Sequence, residues 1–187
     1  MIAQEMAALY PTRVMKLILF GTGSIGALPN RFETIDESRQ KILRSSNACK
    51  HKSDNEKVVN HELGMDVIQS IAQAWFLDYH VSMDGYNLCI QEGKKATLQA
   101  ALASLKAWES WDGRDQLNDI SAETLILWST GDRTYDSEQQ DILLRGIKGA
   151  RLITFDNSRH NVHMERPTDV NSVIKEFLLT NVTGTEV

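Results

Sequence analysis

Arg151-Leu-Ile-Thr-Phe-Asp-Asn-Ser-Arg-His160-Asn-Val-His163-Met-Glu165-Arg-Pro167 reads as a strand that delivers a histidine and then runs into a helix. Apolar residues dominate its start. Pro167 suits the first helical position, where its missing N–H costs nothing. Upstream, Thr124-Leu-Ile-Leu-Trp-Ser-Thr-Gly-Asp132 repeats the pattern as a strand that delivers an acid. Between the two, Ser137 is expected to cap a helix, with Gln140 three residues on completing a capping box. That helix carries Leu143, Leu144 and Ile147. After Pro167, the stripe Val170, Val173, Ile174, Phe177 and Leu178 predicts a strongly amphipathic last helix. Alternating strands and helices of this kind argue an α/β layer with a parallel sheet. Right-handed crossovers then put helices on both of its faces.

Working outward, Ile2, Met6 and Leu9 fall at helical spacing before Pro11, with Ala3 and Ala7 alongside, and predict a first helix over residues 1–10. Val14-Met-Lys-Leu-Ile-Leu-Phe20 is apolar on nearly every residue, as a parallel strand covered on both faces would be. A glycine-rich turn, Gly21 to Gly26, follows. Residues 28–112 then change character and show helical periodicity with no convincing strand. Val67, Ile71 and Trp75, with Ile68, line one face there, and Leu98, Leu102, Leu105 and Trp108, with Ala101, line another. The expected organisation is a three-stranded parallel α/β core from residues 1–27 and 113–187, with 28–112 as an inserted helical cap.

The 187 residues can bury a real core. A hydrophobic content of 42% and a charged content of 24% are ordinary for a soluble globular protein. The net charge of −5 argues against a nucleic-acid or anionic-membrane partner, since either favours a basic surface. Met1-Ile-Ala-Gln-Glu-Met-Ala lacks the basic and apolar regions of a signal peptide. Cys49 and Cys89 form no CxxC pair and are expected to be reduced thiols in a cytoplasmic protein. His51, His61 and His80 are not at metal-ligand spacings, and neither a metal nor a cofactor is expected.

The two quoted stretches resemble the acid and histidine turns of a capped α/β hydrolase, a resemblance that covers almost the whole chain. Ile2-Ala-Gln-Glu-Met-Ala with Tyr10-Pro11 is similar to the helix that follows the family's nucleophile, and Val14–Phe20 to the next strand. The family's acid turn reads G-x-x-D, which places the acid at Asp132 and puts Ser129 where the family has glycine. The most specific match is the histidine followed by x-x-H-x-E-x-P, met by His160, His163, Glu165 and Pro167. The resemblance implies a serine esterase or lactonase ancestry, with Asp132 orienting the base His160. It also implies that Met1 falls just after the nucleophile elbow. No G-x-S-x-G occurs in the chain, so the nucleophile and the oxyanion hole that depends on the elbow are expected to be missing.

Other candidate residues have plainer roles open to them. Asp136 is the alternative acid, and His163 is read as structural. Gly21-Thr-Gly-Ser-Ile-Gly26 matches G-x-G-x-x-G after a strand, but Pro29 comes too soon for the helix that would receive a pyrophosphate. The loop is read as an exit from the sheet. Ser24 is a weak substitute nucleophile, because Thr22 replaces the first elbow glycine. Trp75, Trp108 and Trp111 are candidates either for an apolar substrate pocket or for core.

The strand Val14–Phe20 would lose a neighbour by this resemblance and present an unpaired edge. A homodimer pairing two such edges antiparallel is the expected remedy. Three functional readings remain open. The chain is a hydrolase relative that is non-catalytic alone, with a small apolar carbonyl compound as its ancestral ligand. It is half of a hydrolase completed by an N-terminal segment or a separate chain. Or it is a binding or interaction protein using the cap pocket.

Overall fold

A computed structural model describes residues 1–26, 39–40, 42–43 and 62–179. The chain divides into two compact units, Met1–Ile25 with Trp75–Leu77 and Asp112–Val187, and Gly26–Ala74 with Asp78–Trp111. The polar break at Lys50–Lys57 lies outside the described residues.

In the first unit, helix α1 (Ile2–Leu9) leads through a single 3₁₀ turn (Pro11–Arg13) into strand β1 (Lys16–Phe20). After the helical segments come β2 (Glu123–Ser129) and β3 (Arg151–Phe155). The strands form a three-stranded parallel sheet in the order β1-β2-β3. Lys16 pairs with Glu123 and Phe20 with Leu127, while Leu125 pairs with Arg151 and Ser129 with Phe155. β2 is central, and its alternate side chains feed two cores. Ile126 packs with Ala7, Leu17, Leu19, Leu143 and Ile147 on one face. Leu125 and Leu127 pack with Phe155, Val162, Val170 and Phe177 on the other. The continuous apolar run of β2 is thus explained by burial on both sides.

At the N-terminal end of the sheet Lys16 Nζ lies 2.6 Å from Glu123 and 2.8 Å from the Phe177 carbonyl, with its charge over the Phe177 ring. This ties β1 and β2 to the last helix. The Gly21, Asp132 and His160 loops leave the opposite, C-terminal end, where ligand sites of open α/β sheets form.

Three helices of the second unit are α2 (Met65–Trp75), α3 (Met83–Gly93) and α4 (Leu98–Ser110). Val67, Leu98 and Ile42 form their core, with Leu102 and Leu105 against it. Thr97 caps α4 by accepting the Ala100 N–H at 3.1 Å.

The expected first helix is present as α1, which turns Gln4 and Ala7 inward and leaves the apolar stripe Ile2, Met6 and Leu9 86%, 51% and 65% exposed. Other local expectations are corrected. In α2 the buried face is Val67, Ile68 and Ala72, and Ile71 faces out. Helix α5 (Ser137–Gly146) is capped by Asp136, whose Oδ1 accepts the Gln139 N–H at 3.3 Å. Ser137 is instead its first helical residue. Pro167 does open the last helix, α7 (Pro167–Leu179), preceded by the short α6 (Val162–Glu165). On α7 Val170 and Phe177 are buried, whereas Leu178 is exposed.

Leu143 is wholly buried in the core beneath α5. Leu143→Ala should lower stability by about 2–5 kcal/mol, read as a drop in the urea midpoint, and an unchanged midpoint would contradict this packing.

Candidate active site

Asp132 sits in the turn that closes β2. Its backbone N–H donates to the Ser129 carbonyl at 3.0 Å, so the turn forms with serine at the position where the resembling family has glycine. Ser129 also gains a partner, since its hydroxyl lies 2.7 Å from that of Ser158 in the histidine loop. Gly131 supplies the close approach here. A Cβ at that position would come 2.5 Å from the Ser158 carbonyl oxygen. The acid turn and the histidine loop are therefore packed directly on one another.

The Asp132 carboxylate is divided between two tasks. Oδ1 accepts the N–H groups of Thr134 and Tyr135 at 2.7 and 3.2 Å. Oδ2 lies 3.1 Å from His160 Nδ1. The Asp132 side chain is 2% exposed and that of His160 15%. An ionised carboxylate only accepts, so this bond requires the proton on Nδ1 and leaves Nε2 as the basic nitrogen. The structure brings Asp132 and His160 together. It does not use Asp136 this way, because that residue caps α5.

The imidazole is flanked by aromatic rings, Trp75 at 5.6 Å and Tyr135 at 6.0 Å between centroids. Gly21, with a left-handed φ of +56°, lies beside the other nitrogen. A Cβ there would be 3.2 Å from His160 Cε1 and 3.4 Å from Nε2. Of the three tryptophans expected at a pocket, only Trp75 belongs to the unit that carries His160. Trp108 and Trp111 belong to the helical unit.

Glu165 has a role that composition and periodicity did not reveal. Its two oxygens accept the backbone N–H groups of Leu77 and Arg159, each at 2.7 Å. Asn161 N–H donates to the Trp75 carbonyl at 3.1 Å, and Arg159 Nη1 to the Phe76 carbonyl at 3.0 Å. Residues 75–77 are thus strapped to the histidine loop by backbone as well as side-chain bonds, which is why they join the first unit.

Ser24 is fully buried, and its N–H donates to Gln139 Oε1 at 2.9 Å. A hydroxyl without solvent access offers no approach to a substrate carbonyl. The G-x-G-x-x-G loop is likewise held by side chains, since Gln140 Nε2 donates to the Thr22 carbonyl and Gln4 Nε2 to that of Gly23. Sequence reading missed these glutamines as site residues. Their signal was position, because Gln139 lies on the same helical stripe as the buried Leu143.

Among proteins of known sequence, 2-hydroxy-6-oxo-6-phenylhexa-2,4-dienoate hydrolase of Comamonas testosteroni is 25% identical over 181 residues, covering 94% of this chain and 58% of that protein. No family model matches. An α/β hydrolase enzyme from a Medee basin deep-sea metagenome library superposes with a TM-score of 0.75 at 17% identity, covering 100% of this chain and 64% of the other. The chain has the α/β-hydrolase fold. The enol-lactonase from Burkholderia xenovorans LB400 has the same fold, with a TM-score of 0.72 at 16% identity, over 94% of this chain and 60% of that one. The hydrolase-fold chain therefore spans about three fifths of the length of the proteins it matches. Among its described residues no helix is long and apolar enough to cross a membrane.

His163 neighbours the pair without joining it. Its ring meets Phe20 at 4.9 Å, and its Nδ1 is buried with no hydrogen-bond partner among the described residues. Burial holds this imidazole below the ordinary 6.5, and repulsion from His160 acts in the same direction. The folded imidazole therefore takes up a proton less readily than the unfolded one. As pH falls below about 6.5 the unfolded chain binds the proton first, so stability that is whole above that pH declines below it. His163→Phe keeps a ring against Phe20 and removes this proton. Its urea midpoint should fall less than that of the parent chain between about pH 7.5 and about pH 5.5. Equal falls would show that His163 does not carry this part of the acid sensitivity.

Proposed function

We propose that this chain supplies the acid and base of a serine-esterase or lactonase-type hydrolase site and is non-catalytic until a nucleophile-bearing segment joins it. The observation that carries this reading is the Asp132–His160 pair, with Nδ1 held at 3.1 Å and Nε2 turned to the Gly21 side. In such a site Nε2 takes the proton of a serine hydroxyl as it attacks the carbonyl, then returns it to the leaving alcohol, while Asp132 stabilises the imidazolium. The 187 residues contain no G-x-S-x-G. A segment pairing with β1 in parallel would bring its C-terminal end beside Phe20 and Gly21, next to Nε2. An antiparallel strand would bring its other end. The exposed Ile2, Met6, Leu9, Met15 and Phe20 support a covered face in this region. The substrate class is a small, partly apolar ester or lactone. A cytoplasmic setting is part of the same reading.

The chain alone should hydrolyse short-chain p-nitrophenyl esters no faster than its His160→Ala variant and take up no fluorophosphonate. Joined to the upstream strands and nucleophile elbow of a longer α/β hydrolase, it should hydrolyse them. Asp132→Asn in that fusion should then cost roughly 10⁴-fold in turnover, the scale known for wrongly oriented catalytic histidines. A well-folded fusion that labels with fluorophosphonate yet is indifferent to Asp132 and His160 would sink the proposal.

The exposed β1 edge also supports a second reading, a homodimer joined through strand 14–20 that acts as a small-molecule-binding or interaction protein. Sedimentation should then give a dimer at micromolar concentration, and Ile18→Lys should split it. A monodisperse monomer would end that reading.

A further inference from the structure

The loop between β1 and the helical insertion carries buried peptide groups that no strand or helix satisfies, and three glutamines satisfy them instead. Gln139 Oε1 accepts the N–H of Ser24 at 2.9 Å and that of Ile25 at 3.1 Å. Gln4 Nε2 donates to the Gly23 carbonyl at 2.9 Å and Gln140 Nε2 to the Thr22 carbonyl at 3.1 Å. As whole residues Gln4, Gln139 and Gln140 are 3%, 1% and 2% exposed. An amide buried so deeply is costly unless bonded. The Gln139 carboxamide also occupies the space of a Gly23 side chain, since a Cβ there would overlap its oxygen and meet the Tyr135 ring at 2.6 Å. The glycine at position 23 is therefore required by the glutamine and not by a phosphate.

The same loop begins at Gly21, the residue beside His160 Nε2. Gln139 itself leaves the first turn of α5, whose cap Asp136 closely follows the acid turn. A closed circuit results. It runs from Asp132 through Tyr135 and the α5 cap to Gln139, across to Ser24 and Ile25, back along the loop to Gly21, and so to the face of the imidazole that Asp132 does not hold.

We infer that Gln139 is a positioning residue for His160, because it seats Gly21 as a wall against the Nε2 side of the ring. This rests on the reading of His160 as the base of the site. The wall limits ring rotation about the Asp132 bond and confines the approach of a hydroxyl to one direction. A base held from both sides needs no reorganisation when it takes a proton.

The test uses the 187-residue chain with Gln139→Met, which keeps volume and loses the acceptor, and Gln139→Glu, which keeps it. Two rates are read, amide exchange at Ser24 and Ile25, and carbethoxylation of His160 by diethyl pyrocarbonate mapped by peptide mass. In Q139M both should rise about tenfold or more, the scale on which a lost buried hydrogen bond opens a segment. In Q139E both should stay within about twofold of the parent, because a carboxylate accepts the same two N–H groups. Faster exchange with unchanged His160 modification would overturn the inference, and so would no change in either. Should Q139M fail to fold, Gly21→Ala carries the test, because a methyl against the ring must alter His160 modification if the wall is seated there. Neither readout needs turnover. An inert fusion enzyme would therefore remove the functional reading while leaving this one measurable.

Discussion

Everything at the candidate site depends on β2 lying between two parallel partners. A central strand must bury both faces, and here it does so with Ile126 on one side and Leu125 and Leu127 on the other. Parallel pairing then fixes where its neighbours end. Phe20 stands opposite Leu127, and Phe155 opposite Ser129. The three loops that leave those ends have no choice but to meet. The acid turn emerges in the middle, with the Gly21 loop on one side and the histidine loop on the other.

Meeting is not yet alignment, and alignment comes from buried polar groups. The Ser129–Ser158 hydroxyl pair, the two-oxygen grip of Glu165 and the divided carboxylate of Asp132 each satisfy atoms that would otherwise be stranded from water. Each such bond is worth little net, but leaving one unmade in a buried place is costly. The loops are therefore held by the penalty for letting go. This explains how irregular backbone can hold an imidazole in place. It also explains the strap at residues 75–77, whose backbone groups bond to the histidine loop.

Much of this was legible beforehand. β2 was visible because burial on both faces demands an unbroken apolar run, whereas β1 and β3 carry apolar runs with exposed residues among them. Asp132 and His160 stood out because their turns resemble the family's G-x-x-D and histidine-x-x-H-x-E-x-P patterns. Pro167 marked the start of α7. Spacing and residue type left two things open. The α1 stripe of Ile2, Met6 and Leu9 has perfect helical spacing, yet the helix turns Gln4 and Ala7 inward. Periodicity tells which residues share a face but not which face meets the core. Ser137 and Asp136 are both good caps, and Asp136 takes the role because it is the extended residue whose carboxylate accepts the Gln139 N–H.

The sequence by itself determined the α/β layering, the order of acid before histidine, and the absence of a nucleophile elbow within these residues. These follow from residue type and local spacing, which a linear chain carries openly. Tertiary structure alone decided that Asp132 rather than Asp136 meets His160, that Ser24 is sealed from solvent, and that the glycine-rich loop answers to glutamines instead of a phosphate. Those outcomes depend on contacts between residues far apart in the chain, such as Gln139 with Ser24. Their physical reason is that buried peptide groups must find partners wherever the packed sheet ends happen to place them.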